Sequence, residues 1–87
     1  MNIKGSVAVV TGAAGGIGRA LALELAKRKA ARVALVDQSD TVQQVAKAIN
    51  ELAGGTVAIG YSGNVSDATF RQGVYREMAE KHGRINI

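Results

Sequence analysis

The chain has 87 residues, a net charge of +4 and no cysteine or proline, so it holds one small domain without disulfides or thiolate metal sites. No apolar run approaches the roughly 20 residues of a membrane span, because Lys27, Arg28 and Lys29 interrupt the longest one. The positive charge does not point to nucleic acid: those residues and Arg32 gather where a first helix ends, and one Phe, two Tyr and no Trp offer no stacking platform.

Along the chain, MNIKGSVAVV carries one lysine before a strand-like run, which suits a mature cytoplasmic start rather than a signal peptide. Ser6–Val10 is a short, continuous apolar run, as expected of a strand buried on both faces of a parallel sheet. After a cluster of glycines, Ile17, Leu21 and Leu25 recur every four residues, which predicts a helix with that stripe facing the core. Arg32–Val36 is a second buried-type strand, closed by Asp37. A second helix can be capped by Ser39 or Asp40, shows Val42, Val45, Ala46, Ile49 and Leu52 on one face, and stops at Gly54-Gly55. Thr56–Tyr61 reads as a third strand. Ser66 is placed to cap a third helix with the stripe Phe70, Val74 and Met78, ending at Gly83; Gly73 weakens its middle by about 1 kcal/mol against alanine. Arg84–Ile87 looks like the start of a fourth strand, and a strand beginning there implies that the natural chain continues.

Strands and helices alternate without a linker or a repeat, which implies parallel strands, right-handed crossovers and an open α/β sheet. In the mononucleotide-binding arrangement the strand order is 3-2-1-4.

The chemistry concentrates between the first strand and the first helix, in VVTGAAGGIGRALALEL, where four glycines fall within seven residues. A strand, a glycine turn and a helix together hold a pyrophosphate, because the helix N-terminus offers unpaired N–H groups and a positive dipole end. Gly12 can make the tight turn, Gly16 lets the backbone approach the ligand, and Gly18 lets the helix lie close to the strand. The spacing from Thr11 to Gly18 is T-G-x-x-x-G-x-G, and no Gly-Lys-Ser/Thr follows, so this is not a Walker A loop. Asp37, 19 positions after Gly18, can accept hydrogen bonds from both adenosine ribose hydroxyls and would repel a 2′-phosphate. That favours NAD over NADP.

These residues resemble the short-chain dehydrogenase/reductases. The run Thr11-Gly12-Ala13-Ala14-Gly15-Gly16-Ile17-Gly18 looks like that family's cofactor fingerprint, and Val36-Asp37-Gln38 like its NAD-selecting strand end. NADP-preferring members often carry a basic residue where this chain has Gly15. The family places an Asp-Val pair after its third strand to meet the adenine; this chain has Asn64-Val65, whose amide could pair with the adenine edge without the charge. The family usually has a glycine between first helix and second strand, where this chain reads RKAAR. The resemblance implies a Rossmann-type three-layer α/β sandwich, residues 1–87 being the N-terminal part of one dinucleotide-binding domain, truncated after the start of the fourth strand. It also implies a homo-oligomeric, NAD-dependent oxidoreductase acting on an alcohol or ketone, for example a 3-oxoacyl, polyol or sugar substrate.

The family's acid/base pair is a tyrosine with a lysine four residues later. Tyr61 is followed at that distance by Val65 and Tyr75 by Ala79, so neither qualifies; Tyr61 is expected at a strand end and Tyr75 on a helix surface. His82, the only histidine, is expected at a helix C-terminus, and nothing suggests a metal site. No catalytic residue is therefore assigned in this chain. Two alternatives stay open: a stand-alone, non-catalytic module that binds a nucleotide or partner, and a different protein of Rossmann type, such as an epimerase or an NAD sensor.

Overall fold

In a computed structural model of the chain, which describes residues 3–86, three strands and three helices alternate: β1 (Val7–Thr11), α1 (Gly16–Lys27), β2 (Arg32–Asp37), α2 (Thr41–Ala53), β3 (Ala58–Ser62) and α3 (Ala68–His82). The strands form one parallel sheet with β2 in the middle, Val7 opposite Arg32 and Val33 opposite Ala58. Successive side chains of β2 go to opposite faces. Val33 and Leu35 pack with Ala22, Leu25, Val42, Val45 and Ile49 of α1 and α2, while Ala34 and Val36 pack with Val74 and Met78 of α3. Burial on both faces is why β2 reads as an unbroken apolar run.

At the C-terminal end, the Asn86 N–H donates to the Val7 carbonyl at 2.8 Å, and the Val7 N–H donates to Asn86 Oδ1 at 3.0 Å. Ser6, the neighbour of Val7, accepts instead from Ala31 and Arg32 on the β2 side. Peptide groups alternate along an extended strand, so Asn86 lies at the edge of β1 away from β2, where the expected order puts a fourth strand. Residues 84–86 form no strand of their own, one bonded residue being too little for a ladder, and Ile87 lies outside the described residues.

Several local expectations are corrected. Of the α1 stripe, only Leu25 is buried; Ile17 is 88% exposed and Leu21 48%, while Ala22 is fully buried. The helix meets the sheet through its small residues, which permit the closest approach, and its larger side chains are pushed outward. On α2, Leu52, in the last turn, is 76% exposed rather than buried with the rest of its face. The other four residues of that face are buried, and Gly54 closes the helix at φ +76°.

Helix starts also differ. Asp40 precedes α2 without a side-chain capping bond, and it is Ser39 Oγ that accepts from the Thr41 N–H, at 3.1 Å. For α3 the cap is Asp67 rather than Ser66: its carboxylate accepts from the N–H groups of Thr69 and Phe70. A carboxylate at that position also meets the positive helix end. The α3 stripe holds, with Val74 and Met78 buried and Phe70 half-buried, and Gly83 ends the helix.

β1 begins at Val7 because the N–H and hydroxyl of Ser6 both turn back to the Ile3 carbonyl. β3 begins at Ala58 rather than Thr56. There Asn50 of α2 acts as a bracket: its Oδ1 accepts from the N–H groups of Val57 and Ala58, at 2.8 and 2.7 Å, and its Nδ2 donates to the Ala58 carbonyl at 2.9 Å. Between α1 and β2, the missing terminal glycine is replaced by Lys29, at φ +69°. Its N–H donates to Ala26 and that of Ala30 to Leu25, the two bonds of a Schellman helix end.

Candidate functional site: a glycine turn and an acidic strand end

The site forms at the C-terminal ends of the strands, where β1 turns through Gly12–Gly15 into α1. Gly12 has φ +67° and Gly16 φ +57°, left-handed conformations that disfavour a side chain. A Cβ on Gly18 would overlap the Gly12 carbonyl and stand 3.0 Å from the Thr11 carbonyl oxygen, so the start of α1 is pressed against the end of β1. A Cβ on Gly15 would meet nothing within 4 Å. The turn is thus crowded on its protein side and open outward.

The N-terminus of α1 is left bare. Gly15 provides no side-chain cap, and no acidic residue lies in the first turn. Its leading N–H groups and positive dipole end therefore face outward beside a glycine surface, a geometry suited to an anion. Thr11 ends β1 at the foot of the turn, and Ile17 stands exposed on the first turn of the helix.

The turn is tied to β2 at two points. The Ala13 N–H donates to the Val36 carbonyl at 3.2 Å, and the Ala14 N–H donates to Asp37 Oδ2 at 3.0 Å. Asp37 Oδ1 accepts from the Ser39 N–H at 2.9 Å. These bonds hold the carboxyl below the ordinary carboxylate range: the Ser39 amide contributes most, then Ala14, with Gln38 adding less and partial desolvation opposing them. Asp37 is thus ionised, oriented and placed at the mouth of the site.

Beside it lies an open cleft of about 300 Å³ lined by Gly12, Val36, Asp37, Gln38, Gly63 and Val65. Four of the ten sequence-derived candidates, Gly12, Asp37, Gln38 and Val65, meet there. Asn64 does not line it; its Oδ1 accepts from the Ser66 N–H at 2.9 Å and its carbonyl from the Asp67 N–H. The Arg71 guanidinium fixes the same loop by donating to the Val65 carbonyl at 2.8 Å.

Gly63 is a cleft residue that sequence reading passed over. Its N–H donates to the Asp37 carbonyl at 2.9 Å, and a Cβ there would run into the Phe70 ring, 2.6 Å from Cζ. A glycine directly after a strand was the available signal. The link from Ala14 to Asp37 leaves no trace in residue types, because its donor is backbone.

Both tyrosines lie where expected. Tyr61 is in β3, and its hydroxyl donates to Met78 Sδ at 3.6 Å; Tyr75 is 41% exposed on α3. Burial, helped by the nearby Glu77 carboxylate, pushes the Tyr61 phenol up to about 12. His82 closes α3. Among the described residues no helix is long and apolar enough to cross a membrane, and no group of His, Cys, Asp and Glu could hold a metal ion.

Known proteins share this sequence pattern and fold. Residues 6–87 match the model of the short chain dehydrogenase family. The chain is 38% identical to a cyclohexanol dehydrogenase of Rhodococcus sp. over 98% of its length, covering 35% of that protein. It superimposes with a TM-score of 0.88 on a short chain dehydrogenase/reductase from Burkholderia phymatum in complex with NAD, at 28% identity, over 99% of this chain and 30% of that one. L-Sorbose reductase from Gluconobacter frateurii, complexed with NADPH and L-sorbose, gives 0.85 at 27% identity, over 98% and 33%. The chain spans about a third of the length of these relatives. With its glycine turn, parallel sheet and acidic strand end, the chain belongs to the short-chain dehydrogenase family.

Proposed function

We propose that the chain is the cofactor-binding portion of an NAD-dependent oxidoreductase whose complete form transfers hydride between NAD(H) and an alcohol or ketone, such as a 3-oxoacyl, polyol or sugar substrate. The relatives' cofactors include both NAD and NADPH, so the preference for NAD rests on one observation: the ionised Asp37 carboxylate at the mouth of the cleft. A carboxylate accepts hydrogen bonds from a ribose diol and repels a 2′-phosphate.

The residues fit such a group. The outward-facing glycine surface of Gly12, Gly15 and Gly16, with Thr11 and Ile17 beside it and Gly18 drawing the helix in, would take the pyrophosphate. Asp37 and Gln38 would hold the adenosine ribose and Val65 the adenine edge; Asn64, outside the cleft lining and with its Oδ1 taken by the Ser66 N–H, would reach the adenine only through its Nδ2. When bound, NAD supplies the hydride acceptor. The proton is expected to move through other groups, since no Tyr-x-x-x-Lys occurs in the 87 residues, and Tyr61, bonded to Met78 Sδ with its phenol raised to about 12, is a poor base at neutral pH. The acid/base pair and the substrate pocket then belong to residues beyond Ile87, in a cytoplasmic homo-oligomer.

The test is to express the protein from its complete reading frame and follow NAD reduction with a panel of secondary alcohols, beside the 87-residue chain alone. Turnover by the complete protein and none by the short chain is expected. A reading frame that stops at Ile87, or steady turnover by the short chain, overturns the proposal.

A further inference from the structure

A second cleft, of about 480 Å³, opens between α1 and α2 at the opposite end of the sheet from the glycine turn. Leu23, Ile49, Leu52 and Val57 give it an apolar lining, and Lys27 and Lys29 contribute the only charges. Its volume falls within the range of small-molecule sites, about 300–1,000 Å³.

Three observations set this cleft apart from an ordinary surface groove. Leu52 stands 76% exposed beside it, so its wall is apolar and open. Among the described residues neither Lys27 nor Lys29 is ion-paired, although Arg28 between them is bound to Glu24 at 2.8 Å. Finally, Lys29 sits at φ +69°, where a glycine would make the same helix-ending bonds without strain. Backbone strain held at a charged residue points to a use for that side chain.

We propose that this cleft binds an aliphatic monocarboxylate, with its hydrocarbon chain along Leu23, Ile49, Leu52 and Val57 and its carboxylate between Lys27 and Lys29. The charge follows from the two unpaired ammonium groups and the absence of any acidic lining residue. A single negative charge is favoured over a phosphate dianion, because α1 and α2 both end at this cleft and present the negative ends of their dipoles. No aromatic side chain lines the cleft, which suits a flexible chain rather than a ring. The site is independent of the cofactor: α1 separates the two, and its 12 residues span about 18 Å.

Calorimetric titration of the complete protein with decanoate, decanol and decyl phosphate tests this, with and without saturating NAD. Decanoate is expected to bind saturably whether or not NAD is present, at least about fivefold more tightly than either analogue. A Lys27→Gln, Lys29→Gly double variant should weaken decanoate at least about fivefold without melting earlier, since glycine suits the backbone at position 29. Leu52→Gln should weaken it as well, at an exposed position where folding is not at stake. No saturable binding, equal binding of decanol, tighter binding of decyl phosphate, displacement by NAD, or variants that bind as the parent does would each overturn the proposal.

Discussion

Asp37 of β2 reaches across the strand ends to the glycine turn: its Oδ2 accepts the Ala14 N–H at 3.0 Å while its Oδ1 accepts the Ser39 N–H at 2.9 Å. The side chain proposed to choose the cofactor thus also braces the turn proposed to hold its pyrophosphate. The brace depends on ionisation. A carboxyl whose folded pKa is depressed contributes stability above its unfolded value, near 3.8, and loses it as pH falls through the lower folded value. The Ala14 amide should therefore be protected from hydrogen exchange at neutral pH and lose that protection, relative to other turn amides, only as pH falls below the ordinary carboxylate value of 3.8. In Asp37→Asn the pH dependence should vanish. An Ala14 amide whose relative protection is flat through the acid range would count against the brace.

The glycines of the turn should differ in how they fail. Gly12→Ala puts a side chain at φ +67° and should cost about 1–2 kcal/mol of stability. Gly18→Ala forces α1 away from the Gly12 carbonyl and should cost about 1–3 kcal/mol. At Gly15 a Cβ meets only open space, so Gly15→Ala should leave stability nearly unchanged and act on cofactor affinity alone. Denaturant melts beside cofactor titrations separate the three; equal losses of stability at positions 15 and 18 would contradict the geometry.

Asn50 offers a test away from the site. Its side chain satisfies the N–H groups of Val57 and Ala58 and the Ala58 carbonyl, so Asn50→Ala leaves all three without that partner. The expected loss is about 1–3 kcal/mol in a chemical melt, with cofactor affinity unchanged in the surviving folded protein. A neutral substitution would mean that water replaces the bracket at no cost.

Tyr61 should titrate late. With its phenol raised to about 12 by burial and by Glu77, the folded protein favours the protonated ring. Its contribution to stability is present below the ordinary tyrosine value of 10.0 and is lost as pH rises toward 12. Absorbance of tyrosinate against pH should show a late step that Tyr61→Phe removes. Ionisation near pH 8 would instead make Tyr61 a credible base and reopen the search for the proton-transfer group.

The elements and their order were legible because each strand is a buried run and each helix stops at a recognisable place: Gly54, Gly83, or the basic cluster after Leu25. Which face of α1 is buried was not legible. Ile17, Leu21 and Leu25 have the right period, but close approach to β1 selects the smallest residues, Gly18 and Ala22, and hydrophobicity alone does not encode distance. The cap of α3 was misassigned by one residue, since Ser66 and Asp67 are both good caps and only the backbone decides between them. At the site, the glycine turn and Asp37 were visible as residue types in sequence context. The Ala14–Asp37 bond arises from tertiary proximity and leaves no pattern in one dimension, and Gly63 is signalled only as a glycine directly after a strand, not by its place beside Phe70.

The central claim, that Asp37 makes this an NAD site, is tested most directly by the ratio of NAD to NADP affinity in the complete protein and in its Asp37→Ser variant. A ratio is insensitive to any general loosening of the turn, which would weaken both cofactors alike. The wild type should prefer NAD, and Asp37→Ser should reduce that preference at least about tenfold, equivalent to about 1.4 kcal/mol. A wild type that prefers NADP, or a variant that weakens both cofactors equally, would contradict it.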